Sequence, residues 1–153
     1  MKDFFLSKFE FDFHANKLFI HEIEQQDLID NPEIRRQLCH ILNVHHIWIS
    51  RLLEKETISE DWDDLPYFSW QKLNEDNFLQ NKAFVLNEDL NLERDYINSD
   101  GDMKRKKISD ILFHILQHSN YHRAQINLLM KKFGAIPVSM NFIEWDKSNQ
   151  SRN

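Results

Sequence analysis

The chain is poor in the residues that make turns: two glycines and three prolines in 153 residues. Sandwiches and barrels need frequent tight turns, so this scarcity argues against them and for long helices with few connections. A single cysteine, Cys39, leaves no partner for an intramolecular disulfide and reads as a small buried residue in a reduced, cytoplasmic compartment. No apolar run approaches the roughly 18 residues that a membrane-spanning helix requires, so no membrane partner is expected. The first residues, Met1-Lys2-Asp3-Phe4-Phe5, meet charge at once and do not read as a signal peptide. A basic surface is also missing. The formal net charge is −6, and the one cationic run, Lys104-Arg105-Lys106-Lys107, reads as a solvated loop or strand. Nucleic acid is therefore not an expected partner, because phosphate neutralisation needs clustered cations.

What is present is helical periodicity in four stretches. The first runs from about Phe4 to Gln26, with Phe4, Phe5, Phe9, Phe11, Phe13, Leu18, Phe19 and Ile23 forming a broad apolar face. The second opens at Asn31-Pro32-Glu33. There the asparagine can cap, proline suits the first helical position and glutamate complements the helix dipole. Ile34, Leu38, Ile41, Trp48 and Leu52 then recur at helical spacing to about Glu54. An acid-rich connection from Ser59 to Pro66 follows. Ser69 is the expected cap of a third helix, which carries Trp70, Leu73 and Phe78 and fades near Asp89. Tyr96-Ile97-Asn98 and Lys107-Ile108 flank Ser99-Asp100-Gly101-Asp102, and Asp-Gly between extended runs signals a hairpin. Ser109 is the expected cap of a fourth helix reaching Phe133, with Gly134 its C-terminal stop and Pro137 just beyond. The expected fold is all-α: a four-helix bundle with a short β-hairpin inserted before the last helix, spanning residues 1–146 as one domain, then a polar tail, 147–153.

The chemistry-bearing residues are histidines. His114, His118 and His122 recur at four-residue spacing, which puts them on one helix face. At about 100° per residue, Ile111, His118, His122, Gln125 and Leu129 share one stripe that is apolar at its ends and polar in its middle. Directed inward, that stripe buries imidazoles, which then need partners; a metal ion is one solution and ordinary hydrogen bonding another. A metal would need a further ligand from a facing helix, and the second helix offers His40, His45 and His46. Face logic favours His45, which lies among Ile34, Leu38, Ile41, Trp48 and Leu52. His40 sits at the edge of that face near Val44 and Ile47, and His46 points largely away. The pattern alone does not decide among them. His14 and His21 read as structural. Tyr121 and Arg123, taken by themselves, read as packing or ion-pair residues.

The stretch His114-Ile-Leu-Gln-His118-Ser-Asn-Tyr121-His122-Arg123-Ala124-Gln125 resembles a signature of the DinB-like superfamily of metal-binding four-helix bundles, His-x-x-x-His-x-x-Tyr-His-Arg-Gly-Gln, with Ala124 in place of the usual glycine. Leu38-Cys39-His40-Ile41-Leu42 followed by Trp48 is similar to the family's His-Leu/Ile motif with its downstream aromatic. Phe13-His14-Ala15-Asn16 resembles its aromatic-x-Ala-Asn segment, and Gly134 to Pro137 fits the end of its last helix. In Met140-Asn141-Phe142-Ile143, asparagine stands where many members carry aspartate. The resemblance covers most of the chain. It implies a ligand triad of one histidine from the second helix and two from the fourth, here His40, His118 and His122, and so ranks His40 above His45.

The resemblance further implies a divalent ion, zinc, nickel, iron or manganese, with an open coordination position. It also implies a thiol-dependent S-transferase or hydrolase-type activity that joins a low-molecular-weight thiol to a small electrophilic substrate. His45, Tyr121, Arg123 and Gln125 are then candidates for supporting the ligands or orienting substrate. A homodimer is expected, since relatives pair through helix faces and the Phe-rich first helix is apolar nearly all round. The alternative is non-catalytic: a metal-binding or stress-related helical dimer or interaction module, whose site would be closed by a fourth protein ligand.

Overall fold

A computed structural model of the chain describes residues 1–98 and 100–145, so the polar tail 147–153 and Ser99 of the expected turn lie outside the described residues. Four long helices dominate: α1 (Lys2–Gln25), α2 (Pro32–Leu52), α3 (Trp70–Asn87) and α4 (Ile108–Lys132). A two-stranded antiparallel hairpin, β1 (Glu93–Ile97) and β2 (Met103–Lys107), precedes α4, with Glu93 opposite Lys107 and Ile97 opposite Met103. The chain is thus an all-α bundle with the expected hairpin insertion. No helix among the described residues is long and apolar enough to cross a membrane.

The helix ends show why so few glycines suffice. Asn31 caps α2 as expected, its Oδ1 accepting from the backbone N–H groups of Glu33 and Ile34 at 3.1 Å each, with Pro32 at the first position. Three helices close by the same device, a left-handed residue followed by a long backbone bond that satisfies a late carbonyl. At Gly134 (φ +77°) Ala135 donates to Met130 at 2.8 Å. At Asp27 (φ +55°) Leu28 donates to Ile23 at 2.9 Å, and at Glu54 (φ +55°) Lys55 donates to Ser50 at 2.9 Å. The other glycine, Gly101 (φ +85°), turns the hairpin.

Two expected caps are corrected. Ser69 does not cap α3: a short 3-10 turn (Tyr67–Ser69) leads into the helix, and the Ser69 hydroxyl donates back to the Pro66 carbonyl at 2.7 Å. Ser109 lies inside the first turn of α4, because β2 runs straight into the helix at Ile108. The orphan N–H groups there need no side-chain cap. Ile108 donates to the Leu92 carbonyl at 2.8 Å and Ser109 to that of Leu90 at 3.1 Å.

The interior divides into two apolar cores with a polar layer between them. One core gathers Phe19, Ile23, Ile34, Leu38, Trp70 and Ile126 near the α1–α2 turn. The other gathers Phe5, Phe9, Ile49, Phe84, Leu112 and Ile115 near the hairpin. Many of the buried polar residues fall between these two sets, among them Asp12 and Asn16 on α1, His45 on α2, Asn74, Asn77 and Asn81 on α3, and Ser119 and Arg123 on α4. Many of these groups are bonded to one another, which offsets the cost of burying them, although His45 Nδ1, Asn77 Oδ1 and Asn81 Oδ1 have no partner among the described residues. Arg123 Nη1 donates to Asp12 Oδ1 at 2.6 Å and lies 2.7 Å from both Asn16 Oδ1 and Ser119 Oγ. Asn16 donates to Asn74 Oδ1 at 3.2 Å, and Asn74 to the Phe13 carbonyl at 3.0 Å.

The α2–α3 connection folds back over the outer side of α2. Asn43 Nδ2 donates to the Asp63 carbonyl at 2.9 Å, the Ser59 hydroxyl donates to Asn43 Oδ1 at 2.8 Å, and Arg35 Nη2 donates to the Leu65 carbonyl at 2.7 Å. His46 Nε2 accepts from the Ile58 N–H at 3.1 Å. The expectation that His46 points away is therefore corrected. It is buried, because this strap covers the side of α2 that periodicity assigns to solvent.

Candidate metal centre

His40, His118 and His122 come together where α2 packs on α4. One ligand-capable nitrogen from each lies within 4.8 Å of the others. Helical spacing puts His118 and His122 one turn apart on α4, with ring centroids 4.4 Å apart. The His40 ring stands 4.8 Å from that of His118 and 4.6 Å from that of His122. The stripe expected to face the bundle axis does so only in part: Ile111 and His122 are buried. The fully buried line of α4 is Ile108, Leu112, Ile115, Ser119, Ile126 and Met130, while His118, Gln125 and Leu129 are half-buried at its edge toward α2.

Hydrogen bonds orient two of the three rings. His40 Nδ1 lies 2.7 Å from the Asp61 carbonyl oxygen, and His122 Nδ1 lies 2.6 Å from Gln37 Oε1. Both partners are acceptors, so each ring carries its proton on Nδ1 and turns its Nε2 lone pair into the cluster. His118 Nε2 lies 3.1 Å from His40 Nε2. With the His40 proton committed to Asp61, that contact is a hydrogen bond only when His118 carries its own proton on Nε2. Burial lowers all three affinities for a second proton. His118 is pushed down to about 3 by desolvation and by its histidine neighbours, and His122 to about 4 by desolvation and then His40. His40 is lowered chiefly by desolvation, against the pull of the Asp61 carbonyl. The cluster is therefore neutral at pH 7, the state in which imidazole ligates metals.

A divalent ion fits this donor set. Two Nε2 atoms 3.1 Å apart span about what two nitrogens each ~2 Å from one ion would span. A hydrogen bond from the distal ring nitrogen to a carbonyl or amide oxygen is the usual support of a ligating histidine. No carboxylate among the described residues joins the three histidines.

The remaining sequence candidates fall in different places. His45 is the most deeply buried histidine, as face logic requires, but it belongs to the polar layer. Its Nε2 meets Asn81 Nδ2, its ring packs 5.8 Å from Phe9, and its Nδ1 lies 4.0 Å from Asp12 Oδ2. Desolvation lowers it to about 4, against the pull of Asp12. Arg123 is committed to Asp12 in the same layer and makes no bond to the three histidines. Tyr121 is 63% exposed, with its ring edge-on to His122 at 5.0 Å. Gln125 walls a groove beside Gln37. His114 is exposed, edge-on to Trp48 at 5.3 Å and 5.9 Å from the His118 ring.

Three residues at the cluster were not found from sequence. Gln37 stands three residues before His40, one turn away on the same face, and its spacing could have signalled it. Asp61 acts through its carbonyl, which leaves no trace in residue type. Trp62, in the acid-rich connection, lies flat on the His40 ring with centroids 3.5 Å apart and planes 5° apart, and stays 42% exposed.

No curated protein is significantly similar to the chain. The three-histidine cluster and the helical frame do have a family counterpart. The model of the DinB family matches residues 12–152, taking in α2, α4 and all three histidines, and the chain belongs to that family.

Proposed function

We propose that His40, His118 and His122 hold one divalent metal ion, and that the protein is a thiol-dependent S-transferase or hydrolase-type enzyme acting on a small electrophile. One observation carries the reading: two rings are locked through Nδ1 so that their Nε2 lone pairs converge with the third imidazole. A purely structural site would close its coordination sphere with a fourth protein ligand, whereas three ligands leave a position for water or substrate. When bound, such an ion supplies Lewis acidity that lowers the pKa of a coordinated thiol or water. The chain's own residues do the positioning. Asp61 and Gln37 fix ring orientation and tautomer, Trp62 shields one face of His40, and desolvation keeps all three rings neutral. An all-imidazole donor set suits zinc, nickel and iron and does not choose among them, whereas manganese prefers oxygen ligands that the cluster lacks.

The test is metal content by mass spectrometry on untagged protein, with His40→Ala, His45→Ala and His118→Ala in parallel. Loss of metal in His40→Ala and His118→Ala with retention in His45→Ala is expected. Full retention in His118→Ala refutes the site. A screen of low-molecular-weight thiols against model electrophiles then tests the activity, and uniform inactivity of metal-loaded protein favours a binding module instead.

A further inference from the structure

Helix α4 packs against α2 on one side and α1 on the other. The histidine cluster occupies the first seam. The second, between α1 and α4, opens into a cleft of about 270 Å³, and Phe142 of the segment after α4 joins its wall. We propose that this cleft binds an amphiphilic monocarboxylate, its carboxylate on the free edge of the Arg123 guanidinium and its apolar body between phenylalanine rings. The site lies apart from the three histidines and does not depend on a metal.

Arg123 is a buried cation that the fold uses on one side only. It is 6% exposed, yet its bonds to Asp12, Asn16 and Ser119 all leave from Nη1. Nε and Nη2 bond nothing among the described residues, and neither is sealed from solvent. These two nitrogens form the edge by which a guanidinium grips a carboxylate through two parallel bonds. Donors at such depth are costly to leave unmet. Arg123 lines the cleft and a smaller cavity of about 130 Å³ that shares Phe11 and Asn120 with it, so a ligand in the cleft reaches that edge.

Charge favours an anion there. The charged residues of the lining are Lys8, Arg123 and Asp12, which together leave one net positive charge in a chain of net charge −6. Asp12 is already neutralised through Nη1. Lys8 forms no ion pair with any described residue, and its Nζ is held at the cleft 3.1 Å from the centre of the Phe142 ring and 5.3 Å from that of Phe4. The walls favour an apolar body. Phe4 and Phe113 stand 52% and 51% exposed on the two helices, and Phe11 and Leu116 continue the apolar lining. A carbon skeleton laid between them would take that surface out of water. The volume lies just below the usual range of small-molecule sites, which limits the body to a short acyl chain or a single ring.

The experiment titrates octanoate and the neutral octanol into the untagged full chain, read by heteronuclear NMR with the arginine Nε–H signals included. Octanoate is expected to shift the Arg123 Nε–H signal and the side-chain amides of Gln117 and Asn120 on one saturable curve. It should bind about tenfold or more tighter than octanol. Lys8→Gln should weaken octanoate about two- to fivefold and leave octanol unchanged. Phe113→Asp, at an exposed position outside both apolar cores, should weaken octanoate about tenfold or more with the helical circular dichroism intact. Equal affinity for the two ligands, or octanoate shifts that leave the Arg123 Nε–H signal unmoved, would overturn the carboxylate seat. Absence of any saturable shift at the cleft would overturn the proposal outright. So would a dimer in sedimentation that Phe113→Asp abolishes and octanoate does not dissociate, since the cleft would then seat a second copy of the chain.

Discussion

Replacing Gln37 with leucine removes one acceptor and little volume, and the consequence can be worked from the contact it breaks. Gln37 Oε1 accepts from His122 Nδ1 at 2.6 Å. Without it, His122 is free to carry its proton on Nε2, the nitrogen that must be bare to bind a metal, and the ring loses its fixed direction. Losing such a support typically weakens metal binding 10- to 100-fold, or about 1.4–2.7 kcal/mol. The fold should hardly notice, because Gln37 is half-buried and lies outside both apolar cores. Apo Gln37→Leu is therefore expected to unfold in urea within about 1 kcal/mol of the parent chain. Gln37→Glu keeps an acceptor and makes it anionic, so it should bind metal at least as tightly as the parent. Gln125→Ala removes a groove residue that bonds none of the three histidines and should bind unchanged. The assay is competition for zinc against a chromophoric chelator at neutral pH on untagged protein. Affinity of Gln37→Leu within twofold of the parent would show that His122 is not oriented through Nδ1, and the argument for the cluster would lose its main support.

Three further outcomes follow from the bundle itself. Arg123→Met leaves the Asp12 carboxylate buried without its cation and should cost about 3–5 kcal/mol in urea unfolding. Asp12→Leu with Arg123→Met should recover much of that, and a loss under 1 kcal/mol in the single variant would contradict a buried pair. His45, lowered to about 4 from an ordinary 6.5, makes stability depend on pH. Above pH 6.5 neither state takes up the proton and the full stability stands. Between 6.5 and about 4 only the unfolded chain does, so stability drops as pH falls, by about 3 kcal/mol in all, and levels off below. His45→Asn should lose this slope, so that the parent-minus-variant difference falls by about 3 kcal/mol over that window, and a variant whose slope matches the parent's would place the titration elsewhere. Asp27→Gly relieves a left-handed aspartate at the end of α1 and should raise stability by up to about 1 kcal/mol, measured as a shift of the urea midpoint. A decrease would mean that the Asp27 side chain itself supports the turn.

The parts of this molecule that sequence made legible are those set by neighbours along the chain. Asn31 and Pro32 opened α2 where expected and Gly134 closed α4, because caps act over three or four residues. Ser69 and Ser109 misled because the donors they were to satisfy are met otherwise: a 3-10 turn leads into α3, and the Leu90 and Leu92 carbonyls meet those of α4, contacts no local pattern announces. The same limit governs the site. Four-residue spacing brought His118 and His122 together, but periodicity ranked His45 over His40 on the premise that one side of α2 meets water. The strap over residues 53–66 removes that premise, burying α2 from Leu38 to His46 nearly all round, so that depth of burial stops distinguishing a ligand from a core residue.

What separates the two histidines is the company each keeps. His45 lies in the middle layer, where Arg123 already neutralises Asp12, Asn81 meets His45 Nε2 and four helices exclude solvent. A metal there would have no path for a substrate and would compete with a neutralised ion pair. His40 lies where α2 meets α4, beside two imidazoles and a tryptophan that is 42% exposed. A three-ligand metal site is useful only where its open position can be reached. On that ground the edge position that weakened the case for His40 in a helical projection becomes the strongest structural reason for preferring it.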